Sequence, residues 1–172
     1  MKTNIGYTHK DAIRITENKI EVSLITINNG KTPVKSHDLL LDTGAFLTIL
    51  NKRAAELNGY EIYKEKACTI SGFSEKGLLC DLRKIPIAFF CNHKIEDVII
   101  ATPHENIQVT EVLGMNILEN FTFGLDFSAK EIFTKIRADF ASQKPRYKCG
   151  AVSILTEDDI ISTGGRNGSK KI

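Results

Sequence analysis

Tryptophan is absent from the 172-residue chain, and cysteine, proline and methionine are scarce, at four, four and two. The cysteines, Cys68, Cys80, Cys91 and Cys149, are too few for a disulfide scaffold, and no two form a C-x-x-C pair. Cys91 lies two residues from His93, but a structural zinc site usually has a tight knuckle of two cysteines. Without one, the expectation is reduced, buried thiols and no metal. Charge of one sign is lacking too: 23 Lys plus Arg against 21 Asp plus Glu leave +2. That gives no long-range field to attract nucleic acid or an anionic membrane. No apolar run approaches the roughly 18–20 residues of a spanning helix. Residues 1–18 hold no apolar h-region, so no secretory signal is expected. His9, His37, His93 and His104 are scattered, with no H-E-x-x-H and no G-x-S-x-G elsewhere. The expectation is a soluble, cytoplasmic protein with no cofactor, nucleic acid or membrane as partner.

What the chain does have is period-two patterning. Ile20, Val22 and Leu24 alternate with Glu21 and Ser23 as in a half-buried strand. The run ends at Asn28-Asn29-Gly30, a strong hairpin signal, and a return strand is expected from Pro33 to Leu41. Further strands are expected at 66–72, 77–90, 94–101 and 107–113, with a closing hairpin of 121–127 and 131–136. Short helices fit 51–57 and 116–120. Many short strands between frequent turns indicate an all-β barrel or sandwich. The reading divides the chain into an N-terminal extension (1–18), one domain (19–140) and a polar C-terminal tail (141–172). The tail is Gly-rich and basic and reads as flexible, though Ala151-Val152-Ser153-Ile154-Leu155 could dock as an edge strand.

One segment carries chemistry. In Leu39-Leu40-Leu41-Asp42-Thr43-Gly44-Ala45-Phe46-Leu47-Thr48-Ile49-Leu50 a carboxylate sits between two strongly apolar stretches. Burying it alone costs several kcal/mol unless it is hydrogen-bonded or protonated. Thr43 could supply a hydroxyl, and Gly44 a close backbone donor. Taken by itself, Asp-Thr-Gly is more often an ordinary turn.

The flanks extend the pattern. Leu-Leu-Leu-Asp-Thr-Gly-Ala resembles the active-site loop of retropepsin-like aspartic proteases. Seventy residues beyond Gly44, Val112-Leu113-Gly114-Met115-Asn116-Ile117-Leu118 is similar to that family's second motif, a strand crossing beneath the catalytic loop and then a helix. Between them, Ile70-Ser71-Gly72-Phe73-Ser74-Glu75-Lys76-Gly77 stands where the family places its flap hairpin. The resemblance covers 19–136 and implies a single-domain closed β-barrel of the retropepsin type. One departure is paired. Retroviral members often place an Asp after the alanine and an Arg after the second glycine, as a buried ion pair. Phe46 and Met115 stand there instead, and replacing both partners can be neutral.

The resemblance implies an aspartic endopeptidase, in which two carboxylates share one proton around a water. The chain has one Asp-Thr-Gly, so the partner acid must come from a second copy, and a homodimer acting on a peptide or protein is expected. Asp42 is then the catalytic residue, with Thr43, Gly44 and Ala45 in the active-site loop. Ile70, Gly72 and Phe73 are flap and substrate contacts, and Leu113, Gly114 and Asn116 support the loop. Ala45 offers no hydroxyl to stabilise the ionised acid, so a working pH nearer neutral than in pepsin-like enzymes is expected. The competing reading is a non-catalytic peptide-binding or dimerisation module on the same fold.

Overall fold

The alternating pattern produces ten strands and two short helices among the described residues, 7–28, 34–71, 77–137 and 152–154 of a computed structural model. In chain order they are β1 (His9–Thr16), β2 (Lys19–Ile27), β3 (Lys35–Leu41), α1 (Lys52–Leu57), β4 (Glu61–Ile70) and β5 (Leu78–Phe90). Then follow β6 (His93–Pro103), β7 (Val112–Leu113), α2 (Met115–Leu118), β8 (Phe121–Asp126), β9 (Glu131–Ile136) and β10 (Val152–Ile154). Val22, Leu24 and Thr26 of β2 point inward as the alternation requires. The Asn29-Gly30 turn lies outside the described residues, but the antiparallel β2–β3 pairing it was expected to set is present, from Glu21 opposite Leu40 to Thr26 opposite Lys35.

Strands change neighbours along their length, and this curls the sheet. The first half of β1 pairs with β9 and the second half with β2. The first half of β5 pairs with β4 and the last residues with β2, while β6 follows its other side throughout. Pro86 lies at that changeover, where it has no N–H to lend to a ladder. Its place in the β5–β6 register is skipped, and Asp97 in the facing gap takes φ 56°. β5 and β6 are joined by Cys91 and Asn92, both in the left-handed region that a two-residue hairpin turn needs.

The fold is mostly β as expected; its hydrogen-bonded ladders do not join into one closed sheet, since β8 and β10 end the main path, while β6 and β7, off that path, are bridged through Ile49. Two expectations need correction. Residues 9–16, assigned to an extension ahead of the domain, are a full strand of the sheet. Within 107–113 only Val112 and Leu113 form a strand. The backbone before them is satisfied differently, since the Asn51 side chain both accepts from Val109 N–H (2.8 Å) and donates to Val109 C=O (3.2 Å).

Two apolar clusters fill the interior. The larger joins Leu24, Leu39, Ile85, Phe90, Ile100, Leu113 and Ile117. The smaller joins Leu47, Ile49, Cys68, Cys80, Leu82, Ile99, Ala101 and Val112, with Ala45, Phe46, Ile70 and Leu78 partly buried against it. Buried Arg83 ties α1 to the sheet, donating to Tyr60 C=O (2.9 Å), Thr102 Oγ1 (3.2 Å) and Glu56 Oε1 (3.3 Å). No helix among the described residues is long and apolar enough to cross a membrane.

Candidate active site

Asp42 leaves the end of β3 just after that strand has been fixed by β7. The two pair in parallel, Leu40 with Val112 and Leu41 with Leu113, and Asp42 N–H continues the ladder to Leu113 C=O (3.2 Å). The chain then turns tightly through Thr43 and Gly44. Gly44 N–H (2.8 Å) and Ala45 N–H (3.2 Å) both donate to Asp42 Oδ1. This answers the cost of placing a carboxylate between apolar stretches: the group is half-buried and hydrogen-bonded by backbone. Thr43 does not contribute the hydroxyl expected of it. It is exposed, and its side chain has no hydrogen bond among the described residues; the same holds for Asp42 Oδ2.

Beneath the turn, residues 47–50 thread between β6 and β7. Ile49 exchanges hydrogen bonds with Val112 on one side (3.0 and 3.1 Å). On the other, Thr48 C=O accepts from Ala101 N–H (2.9 Å), and Leu50 N–H donates to Ala101 C=O (3.1 Å). Asn116 locks this crossing. Its Oδ1 accepts from Thr48 N–H (2.8 Å) and from Thr48 Oγ1 (2.9 Å), while its Nδ2 donates to Ile99 C=O (2.8 Å). The Thr48 hydroxyl in turn accepts from Gly114 N–H (3.1 Å). Gly114 must be glycine: a Cβ would stand 2.4 Å from Leu47 C and 2.8 Å from Thr48 N. Two more backbone bonds tie the loop to α2, Met115 N–H to Ala45 C=O (2.8 Å) and Asn116 N–H to Phe46 C=O (2.9 Å). The segments that carry Phe46 and Met115 are therefore joined through main chain, with the Met115 side chain partly buried against the larger cluster and that of Phe46 against the smaller.

The structure thus brings together Asp42, Thr43, Gly44, Ala45, Leu113, Gly114 and Asn116. Ile70 ends β4 opposite Leu78, and its side chain packs on the smaller cluster that also receives Ala45. Gly72 and Phe73 lie outside the described residues. The hairpin's return is set by Gly77 at φ 74°, where a Cβ would come within 2.5 Å of Thr69 Cγ2. Thr48 belongs to the segment that resembles the active-site loop, but the sequence alone assigns it no role. Its signal was present, as the one polar residue in an otherwise apolar stretch from 45 to 50.

Other polar groups lie apart from this loop. Buried Thr26, His37 and Tyr60 form a triangle, with Thr26 Oγ1 2.5 Å and His37 Nε2 3.1 Å from the Tyr60 hydroxyl. A cleft of about 500 Å³ is bounded by Asn51, Arg53, Leu57, Ile107 and Glu111 among others. Among the described residues no three His, Cys, Asp or Glu side chains are grouped to hold a metal ion.

No family model matches the chain, and no curated protein matches it by sequence. Among solved structures, the crystal structure of a retropepsin-like aspartic protease from Rickettsia conorii is similar, with a TM-score of 0.51 and 15% identity, over 73% of this chain and 89% of that one. At that identity the likeness shows the fold: a β-rich, retropepsin-like fold with few helices.

Proposed function

We propose that the chain is an aspartic endopeptidase, active as a homodimer in which each subunit supplies one Asp42. The observation that carries the reading is the Asp42 carboxylate itself. One oxygen is held by two backbone N–H groups, on a loop braced from below by Thr48, Gly114 and Asn116. The other oxygen has no partner among the described residues, and the flanking Thr43 and Gly44 are exposed. A rigid, half-exposed acid of this kind suits a shared centre at a two-fold axis.

In such a centre like charges about 3 Å apart do not both ionise, so the pair holds one proton. The ionised Asp42 takes a proton from the attacking water, and the protonated one donates to the scissile carbonyl. Thr43, whose side chain has no hydrogen bond among the described residues, would reach its counterpart across the axis. The Gly44 carbonyl and the β4–β5 hairpin would receive an extended peptide backbone.

Asp42→Asn keeps the shape and removes the acid. The expected result is cleavage of a peptide library reduced by about 10²–10⁴-fold or more, with the dimer unchanged by sedimentation. A non-catalytic binding module would bind peptides equally well in both forms and cleave them in neither.

A further inference from the structure

β4 has β5 along one side, and its other side is a sheet edge whose backbone groups need partners. At Cys68–Ile70 that edge is filled by β10. Val152, Ser153 and Ile154 lie antiparallel opposite Ile70, Thr69 and Cys68, and among the described residues β10 pairs with β4 alone. The tail sequence accounts for so brief a strand. Val-Ser-Ile offers β-branched residues around a small polar one, preceded by Gly150 and followed within two residues by Thr156-Glu157-Asp158-Asp159. The position matters because Cys68 and Ile70 sit in the same apolar cluster as Ala45 and Phe46 of the Asp42 loop. A strand added to β4 therefore bears on the hairpin beside the candidate catalytic acid.

We infer that the β4 edge at Cys68–Ile70 is a strand-acceptor site for an extended peptide, and that the chain's own Val152–Ile154 fills it in cis as an autoinhibitory strand. Three paired residues give a weak hold, since each backbone bond contributes only about 1 kcal/mol net and ordering the segment opposes it. The tether compensates by presenting the strand at an effective concentration on the order of millimolar. Such a strand is exchangeable: an extended peptide pairing with the same edge displaces it. The acceptor site stands on the pairing alone, whereas its inhibitory consequence rests on the protease reading.

The test uses the full chain carrying Asp42→Asn, so that bound peptide is not consumed. The probe is a fluorescein-labelled peptide of residues 150–156, followed by anisotropy with and without Ser153→Pro. Proline removes an N–H from β10, and its ring fixes φ at about −65°, away from the roughly −140° of an antiparallel strand. Freed of its competitor, the edge should bind the probe about tenfold more tightly. Those backbone amides of Cys68–Ile70 that face β10 should exchange faster in the Ser153→Pro chain and regain protection when the probe is added. Ser153→Thr, which keeps the N–H, should change neither. With Asp42 intact, Ser153→Pro should raise the rate of peptide cleavage at low substrate. Equal probe affinity with unchanged exchange overturns the acceptor site. Tighter binding with no rise in an Asp42-dependent cleavage rate overturns autoinhibition. Tighter binding with no cleavage by any variant retains the acceptor site and defeats the protease reading instead.

Discussion

Gly114 and Asn116 do at the scale of single residues what keeps the Asp42 turn in place. The atoms that would meet a Cβ on Gly114 are backbone, at Leu47 and Thr48, and they have no rotamer by which to give way. Gly114→Ala must therefore push α2 off the loop, at an expected cost of about 2–4 kcal/mol, read as a lower urea midpoint. Asn116→Ala strands the Thr48 N–H and hydroxyl and the Ile99 carbonyl together, with a cost of similar size, about 2–4 kcal/mol. Asn116→Asp keeps the acceptor and loses one donor, and should fall between. Stability and peptide cleavage should decline together in this series; full stability in Gly114→Ala would mean the loop is not held from below. Both residues were legible as parts of a motif. The bonding of Thr48 was not, because a hydroxyl inside an apolar run has no partner until residues 68 positions apart are brought together.

At the scale of elements, the alternation in β2 was enough to place it, since one face is buried along its length. β1 escaped the same reading because its two halves serve different partners and Ile13 is its single fully buried residue. The over-long strand at 107–113 has the opposite cause: its apolar pattern is real, but the Asn51 side chain takes the backbone bonds a neighbouring strand would have made. The β4–β5 hairpin follows the flap segment expected at 70–77, and Cys68 and Cys80 on its two arms are register partners, fully buried and free of any disulfide. Burial pushes the Cys80 thiol up to about 12, with the neighbouring Cys68 and Asp81 adding to the effect. Burial also raises Cys91 to about 12. At pH 8 each is then thiolate in only about one molecule in 10⁴. Iodoacetamide should leave Cys80 and Cys91 unmodified in the native protein and alkylate both in urea, as peptide mass mapping would report. Rapid native labelling of Cys80 would show that the hairpin opens.

For the molecule as a whole, pH and, under the proposed shared centre, subunit number are the variables to test. Burial, the largest cause, holds His37 below its ordinary 6.5, with Lys35 assisting and Glu111 and Asp38 opposing. Burial, then His9, lowers His93 in the same way. The folded chain therefore binds these protons less readily than the unfolded one, so their contribution to stability is intact above about pH 6.5 and is lost as pH falls below it. The melting temperature should drop between pH 7 and pH 5, and less steeply when His37 and His93 are both replaced by Gln. Subunit number has a sharper signature. If each active centre needs two Asp42 residues, a fixed amount of wild-type chain mixed with excess Asp42→Asn chain is diverted into mixed dimers holding one acid. For random re-pairing, a threefold excess should leave about a quarter of the activity. A centre complete within one chain would keep all of it. Mixing must follow dissociation, by dilution and reconcentration, so that subunits exchange before cleavage is measured. Activity that is independent of the inactive partner after such exchange rules out the shared centre, whatever the fold.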